Sequence, residues 1–228
     1  MISLTVPSNV EKYDNIYDKG YNKRYPNLDL VRLQSWYFKN VPGHVLDFGC
    51  GTGTNLLHML ECGCSGIGID ASRGSVEVAT RNLAQRSDLA GKWQILQLDA
   101  NAQSLPFPDA SFDYVLCLSV LSLLEGKERI QNAVDEFHRI MKPGAKMIVD
   151  INGPESDFQL KGRFIAEDTF EYQLRPDQAE PLRCYCPRSK EIFASLFEQF
   201  QVDDLGHVSF SYVGQSSLEF LACVQKSQ

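Results

Sequence analysis

A chain of 228 residues that is 43% hydrophobic and 22% charged can bury a full core as one domain, which excludes a disordered or fibrous architecture. A formal net charge of -7 and a pI near 5.1 oppose any partner held by phosphate neutralisation, so nucleic acid is excluded as a substrate class. The opening segment has neither the basic start nor the apolar core of an export signal, and the most apolar stretch, Tyr114 to Leu124, falls short of the roughly 20 residues of a membrane helix; a cytoplasmic protein without a membrane partner is expected.

From the N-terminus, Glu11 to Tyr25 carries Tyr13, Tyr17, Tyr21 and Tyr25 at four-residue spacing, which predicts a helix with a tyrosine stripe. A second helix is expected from Leu28 to Phe38, ended by Pro42-Gly43. The pattern then alternates: strand Val45 to Phe48, a glycine turn, helix Thr54 to Glu61, strand Gly66 to Asp70 and a helix from Ser72 to about Gln85. Trp93 to Leu98, Phe112 to Leu118 and Lys146 to Ile151 read as further strands, with a helix from Lys127 to Met141 before the last. Such alternation predicts βαβ units around a parallel sheet. After a helix from Ser189 to Phe200, the strand-like runs Gln201 to Tyr212 and Ser217 to Val224 are separated by too few residues for a parallel crossover, so they form an antiparallel hairpin. The fold class is therefore α/β, a doubly wound, mostly parallel seven-stranded sheet with a C-terminal antiparallel hairpin and an N-terminal helical cap. Residues 152–188 form a long connection with a hairpin from Thr169 to Leu174 and Pro181 to Tyr185, and long ordered connections are commonly lids or binding loops.

Seven cysteines, an odd number, in a chain without an export signal point to free thiols. The pairs Cys62/Cys64 and Cys184/Cys186 lack both the spacing and the histidine partner of a metal site, so no metal is expected.

The strongest local signal is VLDFGCGTGTN at 45–55, an apolar strand running into Gly49, Gly51 and Gly53 and then a helix. Alternating glycines let the backbone turn sharply and approach a ligand without Cβ obstruction. Asp70 closes the second strand, where a carboxylate accepts both ribose hydroxyls of an adenosine. A dinucleotide-binding oxidoreductase is the natural rival. Its fingerprint wants glycine at position 54, which is Thr, and the charge of Asp47 opposes a pyrophosphate while suiting a ligand with an ammonium and a sulfonium. A phosphate loop of the Walker type is excluded because no Gly-Lys-Ser/Thr follows.

With these motifs the chain resembles the class I S-adenosylmethionine-dependent methyltransferases, and most of all the small-molecule group that includes the ubiquinone and menaquinone C-methyltransferases. VLDFGCGTGTN resembles their first motif, GIGIDAS at 66–72 the second, LDANAQSLPFPDASFDYVLCLSVLSLL at 98–124 the third with its following strand, and EFHRIMKPGAKMIV at 136–149 the helix and strand that close the core. The resemblance implies S-adenosylmethionine as cofactor and a small-molecule acceptor. It implies that Gly49, Gly51 and Gly53 lie along the methionine part, that Asp47 orients the loop, and that Asp70 holds the ribose with Ala71 on the adenine face. Asp99 and the backbone of Ala100 would recognise the adenine amino group, and Leu118 and Ser119 would border the methionine and the methyl. Ala145 departs from the second glycine usual after Pro-Gly, which bears on the tightness of that turn.

Methyl transfer from a sulfonium is an in-line displacement with a neutral leaving group, so alignment and dehydration do most of the work, and a base is required only if the acceptor must lose a proton. None of His44, His58, His138 and His207 stands in a catalytic pattern, and no catalytic residue is named. The N-terminal segment, including RYPNLDLVR, resembles those that cap the cleft in related methyltransferases, which makes Tyr17 and Tyr25 lid or substrate candidates; burial of one helix face is the alternative. The expected division is one methyltransferase domain: a cap at 1–40, a cofactor core at 41–151, a lid or substrate insertion at 152–188, and a helix with hairpin at 189–228. A non-catalytic cofactor-binding partner subunit is the reading from another class. The Asn/Asp-Pro-Pro-Tyr constellation of base-modifying enzymes is absent.

Overall fold

A computed structural model describes residues 9–174 and 181–228. Its centre is a seven-stranded sheet built from β1 (His44–Phe48), β2 (Ser65–Asp70), β3 (Trp93–Gln97), β4 (Phe112–Cys117), β5 (Met141–Asn152), β9 (Gln201–Tyr212) and β10 (Gln215–Gln225), in the order β3-β2-β1-β4-β5-β10-β9. The first five strands are parallel, and β10 runs antiparallel to both β5 and β9. The order reverses beside β1, so the C-terminal ends of β1 and β4 open the crevice in which such sheets bind ligands.

Both faces of the central strands are covered, so their residues alternate between two apolar layers rather than between core and water. Leu46, Val115, Cys117, Met147 and Val149 meet α5 (Lys127–Ile140), which contributes Ile130, Val134, Phe137 and Ile140. Val45, Leu116, Ile148 and Cys223 point the other way, toward Leu30 of α2 (Leu28–Trp36) and Met59 of α3 (Thr54–Glu61). The edge of the sheet is closed where Leu56 and Leu60 of α3 meet Leu83 of α4 (Arg73–Ala84).

The first helix, α1 (Asn9–Asp18), stops well short of the expected Tyr25. Gly20 takes a left-handed φ of 87°, its N–H bonds to the Tyr17 carbonyl at 2.8 Å, and the Tyr21 N–H reaches the Ile16 carbonyl at 3.3 Å. This paired closure terminates a helix outright and overrides the tyrosine spacing. The expected helix from Ser189 to Phe200 is likewise cut to α7 (Lys190–Ala194) and a 3-10 turn, Ser195–Phe197, where the Ser195 hydroxyl donates to the Ile192 carbonyl at 2.8 Å. β5 starts five residues before its expected start, with Gly144 at φ 78° absorbing a register shift, and Ala145 is accommodated in the core.

The long connection holds α6 (Asp157–Leu160) and a second sheet, β6-β7-β8, formed by β6 (Arg163–Ala166), β7 (Thr169–Tyr172) and β8 (Leu182–Tyr185). β7 and β8 are the expected hairpin; β6 is unexpected, because its four residues are all exposed and lack alternation. Among the described residues no helix is long and apolar enough to cross a membrane.

Candidate active site

β1 runs into a bend in which Gly49, Gly51 and Gly53 take φ of 68°, 55° and 78°, a left-handed region costly for other residues. A Cβ on Gly49 would lie 2.4 Å from Val120 Cγ2, so the bend and the loop after β4 touch only because the side chain is missing. Gly53 heads α3 without a side chain to cap it. Asp47 supplies the cap from the strand instead, its Oδ2 accepting the Leu56 N–H at 3.0 Å. Burial pushes the Asp47 carboxyl up to about 7, against the opposing effect of the Leu56 hydrogen bond.

Asp70 stands at the tip of β2, its Oδ2 accepting the Gly51 N–H and its Oδ1 the Ser72 N–H, each at 2.9 Å. Burial moves its carboxyl above the ordinary range, with the Ser72 and Gly51 hydrogen bonds opposing. Ser72 and Ser75 then organise the head of α4: Ser72 Oγ accepts from Ser75 N–H at 3.1 Å, and Ser75 Oγ donates to the Gly51 carbonyl at 2.7 Å.

Helix α1 lies across this head. Asp14 Oδ1 accepts from Ser72 Oγ at 2.6 Å and from Gly74 N–H at 3.1 Å, and a Cβ on Gly74 would come within 2.7 Å of Tyr17 Cβ. The Tyr17 hydroxyl hangs over Gly51, where a Cβ would meet it at 3.2 Å. Burial and the Asp70 charge hold the phenol above its ordinary value, so it stays protonated. The second sheet supports α1 from behind. Asn9 Nδ2 donates to the carbonyls of Leu123 and Arg183 at 2.9 and 2.7 Å, its Oδ1 accepts the Arg183 N–H at 2.9 Å, and Lys12 Nζ donates to the Pro181 carbonyl at 2.7 Å. Tyr13 packs against Phe170, Leu182 and Cys184.

Between these elements lies a cavity of about 710 Å³, within the range of small-molecule sites. Gly49, Gly51, Asp70, Ala71, Asp99, Ala100, Leu118, Ser119 and Tyr17 all line it. Asp99 Oδ1 accepts the Asn101 N–H at 2.9 Å, and Arg129 donates to the Ala100 carbonyl. Asp47 and Gly53 stand behind the wall rather than in it. Tyr25 corrects the sequence expectation: with α1 ended at Asp18 its side chain is 75% exposed and outside the lining. The described part of 152–188 contributes no lining residue; it buttresses α1 instead of covering the cavity itself.

Tyr13, the first member of the tyrosine stripe, lines the cavity beside Tyr17. Other lining or supporting residues carry no sequence signal. Lys23 lines the cavity, held there by Thr52 Oγ1, which donates to its carbonyl at 2.9 Å. Asp14 and Asp150 act from behind. Their partners are 58 and 31 residues distant, beyond the reach of local spacing. No histidine lines the cavity among the described residues.

A glycine bend at a sheet switch point, an acidic strand tip and a cavity lined by Asp70 and Asp99 define a nucleoside-binding α/β protein. A family model described as a methyltransferase domain matches residues 46–149. The demethylmenaquinone methyltransferase of Symbiobacterium thermophilum is 37% identical over 181 residues, which cover 72% of this chain and 69% of that protein. Two solved structures share the fold. An S-adenosylmethionine-dependent methyltransferase of Methanosarcina mazei has a TM-score of 0.68 at 24% identity, covering 82% of this chain and 93% of that one. The 1,6-didemethyltoxoflavin-N1-methyltransferase of Burkholderia thailandensis, solved with its acceptor and S-adenosylhomocysteine, has a TM-score of 0.71 at 16% identity, covering 100% of this chain and 94% of that one. This chain belongs to the class I S-adenosylmethionine-dependent methyltransferases, with S-adenosylmethionine as its cofactor and methyl transfer to a small molecule as its reaction.

Proposed function

We propose that the donor lies along the cavity with its ribose on Asp70, its adenine between Ala71 and Asp99, and its amino-acid end toward Lys23 and Ser119, and that the acceptor enters on the side walled by Tyr13 of α1. The observation that carries this reading is Asp70: each carboxylate oxygen uses one backbone N–H and keeps acceptor capacity for a ribose hydroxyl. The residues present fit the cofactor, since the left-handed glycines let a ligand approach the backbone and Lys23 is a cation for its carboxylate. When bound, S-adenosylmethionine supplies an electrophilic methyl whose sulfur departs without charge. The chain's own residues orient and enclose: Tyr17 covers the bend, Asp70 grips the sugar, and Val120 against Gly49 fixes the floor. Such alignment and exclusion of water supply most of the acceleration in a reaction of this type.

Residues 9–40 read best as the cap, 41–151 as the cofactor core, the described part of 152–188 as the insertion that steadies the cap, and 189–228 as the closing helix and hairpin; residues 1–8 and 175–180 of the expected cap and insertion lie outside the described residues. The acidic charge supports a small-molecule acceptor over nucleic acid. Titration calorimetry with S-adenosylhomocysteine, followed by turnover with demethylmenaquinone as the first acceptor tried, tests the reading. Absence of heat with S-adenosylhomocysteine, or binding of NADH in its place, would overturn it.

A further inference from the structure

β4 ends at Cys117, and two residues later Ser119 adopts a left-handed φ of 63°, an uncommon state for a residue with a side chain. Its N–H points at Asp150, whose Oδ1 accepts it at 2.5 Å. Asp150 sits on β5 and is 2% exposed. Two residues further along the same strand, the Asn152 N–H donates to Ser122 Oγ at 3.0 Å. The end of β5 thus holds both ends of the 119–122 loop, while Val120 presses on Gly49 from above the bend.

The surroundings of Asp150 make a purely stabilising role a poor explanation. Asp150 pairs with Leu221 and Glu219 with Asn152, which puts both carboxylates on one face of the β5/β10 ladder, with Asp29 of α2 and Lys23 also facing them. Burial and the Glu219 charge push the Asp150 carboxyl well above its ordinary value. A buried acid beside another acid costs stability that an apolar side chain would not. What the carboxylate does achieve is orientation. A trans peptide holds its C=O opposite its N–H, so fixing the Ser119 N–H toward Asp150 turns the Leu118 carbonyl the other way.

We propose that Asp150 is a positioning residue for the amino-acid end of the donor: by holding the Leu118–Ser119 peptide in this conformation it presents that peptide, which lines the cavity, to the methionine part of the ligand. The inference rests on the donor-binding reading above. Asp150 itself does not touch the ligand.

Calorimetry with S-adenosylhomocysteine and with adenosine, which lacks the amino-acid part, tests it. Asp150→Ala lowers affinity for S-adenosylhomocysteine by about ten-fold or more while adenosine binding stays within about two-fold. Asp150→Asn keeps S-adenosylhomocysteine affinity within about three-fold, because its amide oxygen still accepts the Ser119 N–H. Equal binding by Asp150→Ala and the unaltered protein overturns the proposal. So does an equal loss for both ligands, which would mark a general structural defect. Should Asp150→Ala fail to fold, hydrogen exchange on the unaltered protein decides: the ligand-free Ser119 amide is protected if the bond holds, and rapid exchange overturns the proposal. An unaltered protein that binds neither ligand overturns the donor-binding reading itself.

Discussion

Asp70 and Gly51 are joined across the cavity rim, the carboxylate of the strand tip accepting the N–H of the glycine bend at 2.9 Å before any ligand arrives. The same carboxylate bonds Ser72 at the head of α4, so one side chain ties three chain segments together and still faces the cavity. Replacing it with alanine removes the sugar's acceptor and releases the bend. Asp70→Ala is expected to weaken S-adenosylhomocysteine by about a hundred-fold, the loss of two charge-assisted hydrogen bonds. Asp70→Asn falls between, because its amide nitrogen cannot accept from Gly51 or Ser72 whichever way it turns. Calorimetric affinities equal to those of the unaltered protein would remove Asp70 from the site.

The two tyrosines marked by their spacing part company in the structure. Tyr17 is 8% exposed and stacks edge-on with Tyr21 at 5.7 Å, whereas Tyr25 is 75% exposed. Tyr17→Ala is expected to lower S-adenosylhomocysteine affinity by about ten-fold, Tyr17→Phe by less than about three-fold, and Tyr25→Ala to change nothing. Gly74→Ala should resemble Tyr17→Ala, because its new Cβ would fall 2.7 Å from Tyr17 Cβ and push α1 off the head of α4. Normal affinity in both variants would show that α1 is no part of the donor site.

The parallel core and the glycine bend are legible in the sequence because each is encoded by neighbours: short apolar runs alternate with helical periods, and Gly49, Gly51 and Gly53 meet a local demand for left-handed backbone. The C-terminal hairpin is legible through the short gap between its strands. The cap is not. Asn9 bonds Arg183 across 174 residues and Lys12 bonds Pro181 across 169, so where α1 lies is decided by tertiary partners that no spacing announces. β6 escapes for a different reason, since a fully exposed four-residue strand has no buried face to impose alternation. Tyr25 lies beyond the helix although the four-residue period continues to it, because a period carries through the glycine that ends the helix.

Lys23 offers a sharper test of how the donor is oriented. Among the described residues the other lining cation is Arg129, which donates to the Ala100 carbonyl beside Asp99, at the end of the cavity assigned to the adenine. If the amino-acid carboxylate docks on Lys23, Lys23→Ala lowers S-adenosylhomocysteine affinity by about ten-fold or more. Methylthioadenosine keeps the nucleoside and sulfur but lacks that carboxylate, and its affinity should stay within about two-fold. A parallel loss for both ligands would place the carboxylate elsewhere.

Asp47 ties stability to pH. Burial raises its carboxyl from 3.8 to about 7, so at a pH between these values the folded chain holds a proton that the unfolded chain has released. With more protons bound in the native state, unfolding free energy falls as pH rises through that window; below it both states are protonated and the stabilisation is complete, and above it the loss is constant. Asp70, Asp150 and Glu219 are also raised by burial and act in the same direction. Asp47→Asn keeps an acceptor for the Leu56 N–H and carries no charge in either state, so its advantage over the unaltered protein should be small at about pH 5, where only the first part of the loss has occurred, and grow to as much as about 4 kcal/mol at about pH 8. Denaturant titrations of the ligand-free proteins at the two pH values measure the difference directly. Parallel pH slopes would mean that Asp47 is already ionised throughout the range, and that water reaches it behind the glycine bend.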